Sequence, residues 1–495
     1  MKTRLLPLLV LFTTTVSINS QDNMDKIIHV WGGVIYYEKS PLLVDQDGNI
    51  YLTGFFHDTV FFESENNFLV TVDSSDSFLA KVYPDGTLAW KKAVSGFAHE
   101  YILDIEVDQE GFIYFIGDFG GTLMIDTAYI EAAGYNDAYL CKMDPDGRLI
   151  KLISDEELHF FKMAMDGNGQ MYLIGLAKGN QLFNFAFETS GHDSQGYGAF
   201  TAKLNSSFNA DWVISICDSA NLNQPAGSFN RAVITDSFNN AYISGRVNDD
   251  TIQYLSKFDP DGNMLWFKSL TPADSVDIAD LFVDKFDNLY AVAGGSISKF
   301  NNDGDKLWRK EISYRFWTYA VDQNGYTYLI YFENWGSLDG FMIVDPNGYI
   351  VYDYSFDKIE FHQLAMDADG NVYLNGLFAD EISVEGKPLN PKRGENFIMM
   401  KLKSEEMIGG LYYDGTNQER NFSLYPNPAI DILNIETNIS NLHCIEITSL
   451  NGQLLYNTKT EDHTFQIDLS SFQKGIYFIT VRSRDYVITE KIIKL

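Results

Sequence analysis

Cysteine is scarce in this chain, and so are basic residues and long apolar runs. Three cysteines among 495 residues cannot build a disulfide scaffold. Lysine and arginine total 36 against 68 acidic residues, and the resulting net charge of −32 argues strongly against a nucleic-acid partner. No apolar run reaches the roughly 18 residues that a membrane-spanning helix needs. We therefore expect neither nucleic-acid binding nor a transmembrane segment.

Familiar catalytic and metal-binding motifs are also missing. The sequence has no His-Glu-x-x-His, no Gly-x-Ser-x-Gly, no Walker phosphate loop and no Cys-x-x-Cys, and its eight histidines lack zinc-ligand spacing. The turns at 45–49 and 259–263 resemble the start of a calcium loop, but Phe56 and Leu270 stand where an EF-hand needs glutamate. We expect no cofactor and no defined metal site, with weak Ca²⁺ binding at exposed aspartates left open.

What the chain does have is aromatic residues, which make up 15% of it and favour strands. Within residues 26–403 one pattern recurs seven times: an apolar residue, an aspartate, five residues and a tyrosine. Three positions after each aspartate stands Gly, Asn or Asp, the types that tolerate positive φ. Each copy therefore predicts a β-hairpin. The repeated aspartates are Asp45, Asp108, Asp166, Asp236, Asp284, Asp322 and Asp367.

A second hairpin follows each first one. Its incoming strand carries a lysine in six copies, namely Lys81, Lys142, Lys203, Lys257, Lys299 and Lys401. Its outgoing strand carries Trp90, Trp212, Trp266 or Trp308 in four copies, with Lys151 and Tyr352 in two others. We expect the lysine stems to cover apolar sheet and their heads to meet a carboxylate. We expect the tryptophans to dock neighbouring sheets.

Two hairpins make a four-stranded antiparallel unit, and one such unit cannot bury both of its faces alone. The fold class predicted is all-β, with a seven-bladed β-propeller over residues 26–403. The last copy lacks a fourth strand, whereas an unassigned strand carrying Trp31 precedes the first copy. We predict that residues 27–31 pair with residues 397–402 and close the ring, with Trp31 in the repeated tryptophan position.

The repeat resembles a known family. Thr-Gly-Phe-Phe at 53–56, the phrase at 77–86 ending in Tyr-Pro-Asp-Gly, and Trp90 resemble the bacterial β-propeller repeat called SBBP. The same phrase recurs at 116–119 and 138–147. The resemblance covers about residues 26–403. It implies the fold but no fixed activity.

The first 20 residues have the pattern of a secretory signal peptide. Lys2 and Arg4 precede an apolar run at 5–12, and small residues follow, with cleavage after Ser17 or Ser20 equally compatible. A buried first strand is the alternative. The signal pattern predicts export.

The C-terminal part predicts a second domain. Residues 404–420 are polar and contain paired glycines, as in a linker. Residues 421–495 alternate short apolar strands with turns, which predicts a small Ig-like β-sandwich.

This segment resembles the type A C-terminal sorting domain of the type IX secretion system of Bacteroidota. The matching residues occur in order: Tyr425, Pro426, Asn427, Pro428, Gly452, Gly475, Tyr477, Lys491 and Lys494. Ser449 departs from the pattern, because an acidic residue is expected there. The resemblance implies the type IX machinery as partner and a secreted or cell-surface location. It leaves open whether the domain is then removed and the protein anchored to lipopolysaccharide or released. An Ig-like domain without a sorting role is the alternative.

A ligand site is expected where long loops gather on the rigid scaffold. The loops between second and third strands are long in copies one, two, three and seven, which are contiguous in a closed ring. Cationic and aromatic residues near the starts of the innermost strands form the candidate site: His99, His159, Arg231, Arg315, Trp317 and His362. A cation beside an aromatic platform suits a sugar or a carboxylate.

Three functions remain open at this point. The first is a monomeric binding or interaction protein whose ligand is a glycan or a protein. The second is a carbohydrate-active enzyme, either lyase or hydrolase, for which no catalytic residue is assigned. The third is a structural envelope or adhesion component.

Overall fold

The computed structural model describes residues 24–494, except 36–39, 74, 135, 179–180, 183–184, 187–196, 216–228, 248–251, 271–277, 333–339, 356–357, 368, 385–386, 403–421, 426–428, 438–442, 450–453, 461, 463 and 483–486. The signal peptide expected at 1–20 and the linker expected at 404–420 lie outside the described residues. So do the sorting-motif residues Pro426, Asn427, Pro428 and Gly452.

Every regular element among the described residues is a β-strand, as the aromatic-rich composition predicts. The first strands are β1 (Met24–Ile35), β2 (Leu42–Val44), β3 (Ile50–Phe62), β4 (Ser64–Val70), β5 (Asp76–Val82), β6 (Leu88–Gly96), β7 (Glu100–Val107), β8 (Ile113–Phe119), β9 (Thr122–Ile125), β10 (Ala128–Glu131), β11 (Asp137–Met143), β12 (Leu149–Asp155), β13 (Leu158–Met165), β14 (Met171–Lys178), β15 (Gln181–Leu182), β16 (Phe185–Ala186), β17 (Tyr197–Leu204) and β18 (Ala210–Ile214).

The repeat region continues to Leu402 in the same way. Its remaining strands are β19 (Phe229–Thr235), β20 (Ala241–Val247), β21 (Ile252–Phe258), β22 (Met264–Leu270), β23 (Ile278–Val283), β24 (Leu289–Ala293), β25 (Ser296–Phe300), β26 (Lys306–Glu311), β27 (Arg315–Val321), β28 (Thr327–Phe332), β29 (Gly340–Val344), β30 (Ile350–Ser355), β31 (Glu360–Met366), β32 (Val372–Leu377), β33 (Ile382–Val384), β34 (Lys387–Leu389) and β35 (Glu395–Leu402).

These strands pair into antiparallel units of four, each with its strands in chain order across the sheet. Units 1 to 3 are β2-β3-β5-β6, β7-β8-β11-β12 and β13-β14-β17-β18. Units 4 to 6 are β19 to β22, β23 to β26 and β27 to β30, and unit 7 is β31-β32-β35 completed by β1. The first strands touch in sequence, with β2 against β7, β7 against β13, β13 against β19, β19 against β23, β23 against β27, β27 against β31, and β31 back against β2. The arrangement is propeller-like.

The N-terminal strand joins both ends of this cycle. β1 pairs antiparallel with β35, with Ile28 opposite Met399 and Val30 opposite Phe397, and along its second half it also pairs with β3. The assignment of Trp31 to the repeated tryptophan position is wrong. In other units the tryptophan faces the repeated lysine, but here Asp25 faces Lys401. Trp31 lies six residues further along, stacked on Phe61, because β1 runs on into the pairing with β3.

The repeated aspartate, tyrosine and lysine lie together in the six units that have the lysine, and unit 6 keeps the aspartate and the tyrosine. The tyrosine hydroxyl donates to the aspartate carboxylate at 3.1–3.5 Å in units 1, 2, 5, 6 and 7. The lysine Nζ lies 4.6–5.4 Å from the centroid of the tyrosine ring in the six units that have the lysine. In units 3, 4 and 5 it also pairs with the aspartate at 2.8–3.9 Å. The turn residues expected in the left-handed region all have positive φ.

The repeated tryptophans join each unit to the next one. Each indole Nε1–H donates at 3.0–3.1 Å to a main-chain carbonyl in the second turn of the following unit. The glycine of that turn packs against the indole, and a Cβ there would lie only 2.8–3.2 Å from it. The acceptors are Pro145, Pro260, Asn302 and Pro346, and the glycines are Gly147, Gly262, Gly304 and Gly348.

At the junction of units 2 and 3 the aromatic ring and the non-aromatic residue exchange sides. Lys151 occupies the tryptophan position, and Phe208, with φ of 65°, occupies the glycine position of the next turn. The Phe208 ring meets Tyr114 edge-on at 6.3 Å, as the indoles meet their tyrosines at 5.8–6.4 Å elsewhere. Lys151 Nζ donates to the Ser207 carbonyl at 2.6 Å, in place of the indole bond. The aromatic ring is thus supplied from the opposite side of the junction.

The long inserts in units 1, 2, 3 and 7 form extra hairpins between the second and third strands. In unit 1 the insert extends β3 and adds β4, and in unit 2 it is the hairpin β9-β10. The extended part of β3 pairs with β1 of unit 7, and β9 pairs with β6 of unit 1. Units 7 and 1 and the insert hairpin of unit 2 therefore form one continuous sheet, while the four strands of unit 2 remain a separate sheet. The hairpins β15-β16 and β33-β34 form separate two-stranded sheets.

The C-terminal part consists of two further antiparallel sheets. Its strands are β36 (Phe422–Tyr425), β37 (Ile432–Thr437), β38 (His443–Ser449), β39 (Leu454–Thr460), β40 (Thr464–Asp468), β41 (Gly475–Arg482) and β42 (Val487–Lys494). One sheet has the order β36-β37-β40 and the other β39-β38-β41-β42. Side chains of both sheets share one hydrophobic core, which includes Leu433, Ile435, Ile467, Ile445, Ile447 and Ile479.

Candidate functional site

The first strands of units 2 to 7 share a β-bulge near their starting ends. In each, one residue is skipped in the register with the second strand, which frees that residue from the ladder. The skipped residues are Leu103, Phe161, Arg231, Ala279, Trp317 and His362. Half of the residues expected to bind ligand thus occupy one structurally equivalent position. The sequence alone did not show this equivalence.

The other three candidates lie at the same ends of first strands. His99 directly precedes β7, His159 is the second residue of β13, and Arg315 begins β27. The His99 ring packs against Tyr101 at 5.7 Å and the His159 ring against Tyr197 at 5.1 Å.

Two candidates are brought into direct contact. The rings of Trp317 and His362 lie 5.8 Å apart and nearly perpendicular, and Trp317 also meets Phe332 at 5.9 Å. Both rings are half-buried, whereas Arg231 and Arg315 are exposed. Within the described residues the buried Nε1–H of Trp317 has no acceptor. An unsatisfied buried donor is rare and calls for a water or a ligand atom.

Just beyond these bulges along the first strands lies a charged cluster that sequence reasoning missed. Its members are Lys162, Asp280, Asp104 and Glu106. Lys162 of unit 3 donates from Nζ to Asp280 of unit 5, so the contact joins two units that are not neighbours in the chain. Asp104 of unit 2 accepts a hydrogen bond from the Met163 main chain at 2.9 Å. Glu106 lies two residues further along β7. The side chains of Lys162 and Asp280 keep 31% and 17% of their surface, so the cluster is largely enclosed by protein but still reached by solvent.

The enclosure shifts the protonation of this cluster. Burial raises the pKa of Asp104 to about 6, although the Lys162 ammonium opposes the shift. Burial and the Asp104 carboxylate raise the pKa of Glu106 well above its usual range. Burial favours the neutral amine of Lys162, but Asp280 and Asp104 outweigh it and raise that pKa. The cluster therefore combines the Lys162 ammonium with carboxyl groups of Asp104 and Glu106 that burial makes harder to ionise.

A sequence signal for this cluster does exist. Asp104, Lys162 and Asp280 each stand four residues before a repeated aspartate and directly after the bulge. The same position holds Ala232, Thr318 and Gln363 in three other units. Charged residues at a repeat position that elsewhere holds neutral ones could have indicated this cluster.

The turns that resemble calcium loops use their oxygens internally. Asp45 Oδ1 accepts from the main chain of Asp47 and Asn49, and Oδ2 accepts from the Asn49 amide and the Tyr51 hydroxyl. Asp259 accepts the equivalent main-chain and amide bonds from Asp261 and Asn263 within its own turn. No three His, Cys, Asp or Glu side chains in the described part of the chain converge in a way that could hold a metal ion.

Four of the described sorting-motif residues lie on the neighbouring strands β41 and β42. Gly475 pairs with Lys494 and Tyr477 with Ile492, while Lys491 lies opposite Phe478. The buried Tyr477 hydroxyl donates to the Gln473 carbonyl at 2.7 Å, and Lys494 Nζ lies 3.6 Å from Asp431. Tyr425 ends β36.

Residues 423–495 match the family described as the secretion system C-terminal sorting domain. This assigns the class: the chain is a protein of propeller-like fold that the type IX secretion system exports to the cell surface or the medium. Its sorting domain implies interaction with that secretion machinery. In the described residues no helix has the length and apolar character required to span a bilayer.

Karilysin of Tannerella forsythia is 31% identical to the chain over 138 residues. The match covers 24% of this chain and 29% of karilysin, so the chain spans less than a third of that relative.

Among solved structures, PorZ of Porphyromonas gingivalis, described as an essential surface component of the type IX secretion system, is 12% identical. That match covers 92% of this chain and 70% of PorZ, with a TM-score of 0.36. The Dos1 propeller is 7% identical over 78% of this chain and 96% of its own, with a TM-score of 0.44. These likenesses are too distant to assign a function.

Proposed function

We propose that the chain is a seven-bladed β-propeller of SBBP type from a member of the Bacteroidota, which acts outside the cell as a binding protein for a glycan or a protein. The signal peptide would span residues 1–20, the propeller 26–403, the linker 404–420, and an Ig-like sorting domain 421–495. The cyclic contacts of the first strands and the pairing of β1 with β35 support seven blades in a closed ring. Which ligand is bound is a separate question, addressed by the site.

The observation that carries the binding role is Trp317. Its indole N–H is buried with no acceptor in the described part of the chain, its ring contacts His362, and Arg315 is exposed two residues away. Aromatic faces pack on sugar rings or apolar side chains, while guanidinium groups pair with carboxylates. Arg231, at the equivalent bulge of unit 4, is a second exposed cation. We infer that an acidic glycan or an acidic peptide segment binds at the starting ends of the first strands.

The test is a glycan array and a surface pull-down with the full chain and with Arg231→Ala, Arg315→Ala and Trp317→Ala. Loss of a charge-assisted hydrogen bond should weaken binding about tenfold to a hundredfold. Arg148→Ala is the matched control, because Arg148 is exposed in a turn at the opposite end of its unit. Binding that all three variants retain would refute this site. No ligand in either assay would favour a structural envelope or adhesion role.

A carbohydrate-active enzyme is the second candidate, and the charged cluster around Lys162 favours it. A carboxylic acid that stays protonated at neutral pH beside an ionised carboxylate is the pairing that glycoside hydrolysis uses. Glu106 would be the acid, with Asp104 or Asp280 as the base or nucleophile. Assays for reducing ends and for unsaturated products on acidic and neutral polysaccharides test this role. Turnover lost in Glu106→Gln would support it, and absence of turnover would leave the binding role.

A further inference from the structure

A pair of carboxylates lies fully buried where unit 1 meets unit 2. Asp76 begins β5 and Glu100 begins β7, and both have no solvent-exposed surface. Among the described residues neither Oε1 nor Oε2 of Glu100 has a hydrogen-bond partner. Burial of a carboxyl group without partners costs several kcal/mol in order of magnitude, so such a group needs an explanation.

The surroundings fix both groups at one place. The Asp76 carboxylate accepts from the main-chain N–H of Val72 at 2.8 Å and more weakly from that of Gly96 at 3.4 Å. A side chain on Gly96 would overlap the Glu100 carboxylate, so glycine leaves the space in which that group lies. The Ser77 hydroxyl donates to the main-chain carbonyl of Glu100. Three strands and the end of the unit 1 insert thus enclose the pair.

The charges at this place are all of one sign. Burial and the carboxylates of Asp76 and Asp73 raise the pKa of Glu100 to about 8, and no cationic side chain opposes them. Ionisation would leave the Glu100 oxygens with no donor among the described residues. A divalent cation between the two groups would supply both oxygens with a partner and neutralise both charges, and a proton shared with Asp76 is the alternative that the experiment below separates from it.

We propose that Glu100 and Asp76 bind a divalent cation, Ca²⁺, between units 1 and 2. Two carboxylates with main-chain oxygens and water make an all-oxygen set of the kind Ca²⁺ takes. Zinc is disfavoured, because it prefers nitrogen and sulfur ligands and the ring of nearby His99 packs against Tyr101. Calcium sites of extracellular modules have Kd values on the order of 10⁻⁴ to 10⁻³ M, which suits an exported chain. The ion would fasten the insert hairpins to the ring.

Thermal unfolding of the full chain, first treated with a chelator and then titrated with CaCl₂ at pH 7.5, tests the site. We expect a saturable rise in Tm of several degrees, with Mg²⁺ weaker at equal concentration. Glu100→Gln should abolish the response and have a Tm in chelator at or above that of the wild type, because it removes an unpaired charge. Asp76→Asn should also abolish the response. Glu110→Gln, which changes an exposed turn glutamate of unit 2, should respond as the wild type.

The outcomes separate a cation site from a merely structural glutamate. A lower Tm of Glu100→Gln in chelator, with the Ca²⁺ response intact, would show a packing role and overturn the proposal. A wild type without any shift at about 10 mM Ca²⁺, well above the expected Kd, would do the same and leave a shared proton as the solution. Isothermal titration with CaCl₂ would supply the stoichiometry, expected to be one ion lost in Glu100→Gln.

Discussion

The junction of units 2 and 3 offers a double-mutant test of how the units dock. The tryptophan-to-glycine packing of the other junctions can be rebuilt there with two substitutions, Lys151→Trp and Phe208→Gly. Each single change disturbs the junction in a different way. Lys151→Trp places an indole where the Phe208 ring already lies, and Phe208→Gly removes a ring that is 5% exposed.

The magnitudes follow from the packing. Removing a buried phenylalanine ring costs about 3–5 kcal/mol, and relief of its left-handed backbone, with φ of 65°, returns about 1–2 kcal/mol. Phe208→Gly should therefore cost about 1–4 kcal/mol. Lys151→Trp should cost about 1–3 kcal/mol through overpacking. In the double variant the indole fills the vacated space, so we expect stability within about 1 kcal/mol of the wild type.

Equilibrium unfolding in urea or guanidinium of the four proteins measures the cycle. The expected result is a coupling energy of at least about 1 kcal/mol, with the double variant more stable than either single one. A sum of the two single losses in the double variant would refute the reasoning, because it would mean that the indole and the phenyl ring do not share one site. Trp266→Phe, which loses the bond to the Asn302 carbonyl, should cost about 1 kcal/mol and calibrates the hydrogen bond.

Three further outcomes are expected. Ile28→Ala in the fully buried closing strand should cost about 2–5 kcal/mol and speed hydrogen exchange in both β3 and β35, whereas Ile150→Ala at an exposed site should change neither; exchange altered in β35 alone would contradict a closed ring. The pKa of Asp104, raised to about 6, means that the folded state holds its proton more tightly, so this contribution is full below about pH 4 and falls by up to about 3 kcal/mol as pH rises through 6. Asp104→Asn should flatten the dependence of stability on pH between 4 and 7, and an unchanged slope would refute the shift. Deletion of residues 421–495 should leave the protein in the periplasm, and normal surface appearance on immunoblots of cell fractions would count against the sorting role.

Much of the fold could be predicted from the sequence, because each repeat specifies its own turns and strands. Each Asp-to-Tyr spacing specifies a turn, a left-handed residue and a returning strand, and the structure has those turns with the expected positive φ. The pairing of β1 with β35 was also predicted from a count of strands. Trp31 was misplaced, because register depends on how far a strand continues into its neighbour, and a single strand cannot show that.

The candidate site could be predicted less well, because it depends on contacts between residues that are far apart in the chain. Arg231, Trp317 and His362 were chosen as isolated residues, and only the bulges show that they share one position. Lys162 and Asp280 are 118 residues apart in the chain and meet only because the fold brings units 3 and 5 together. The Asp76 and Glu100 pair likewise depends on two units meeting.

By itself, the sequence determined the strand units and their turns, since these arise from residues near one another in the chain, and it carried the sorting motif that indicates export. The pairing of β1 with β35 followed from a count of strands and not from local residues. The tertiary structure alone decided which side chains meet inside the ring and between units, and what charge they carry there. The physical reason is that burial and Coulomb interactions depend on distance in space, which a closed ring sets independently of separation along the chain.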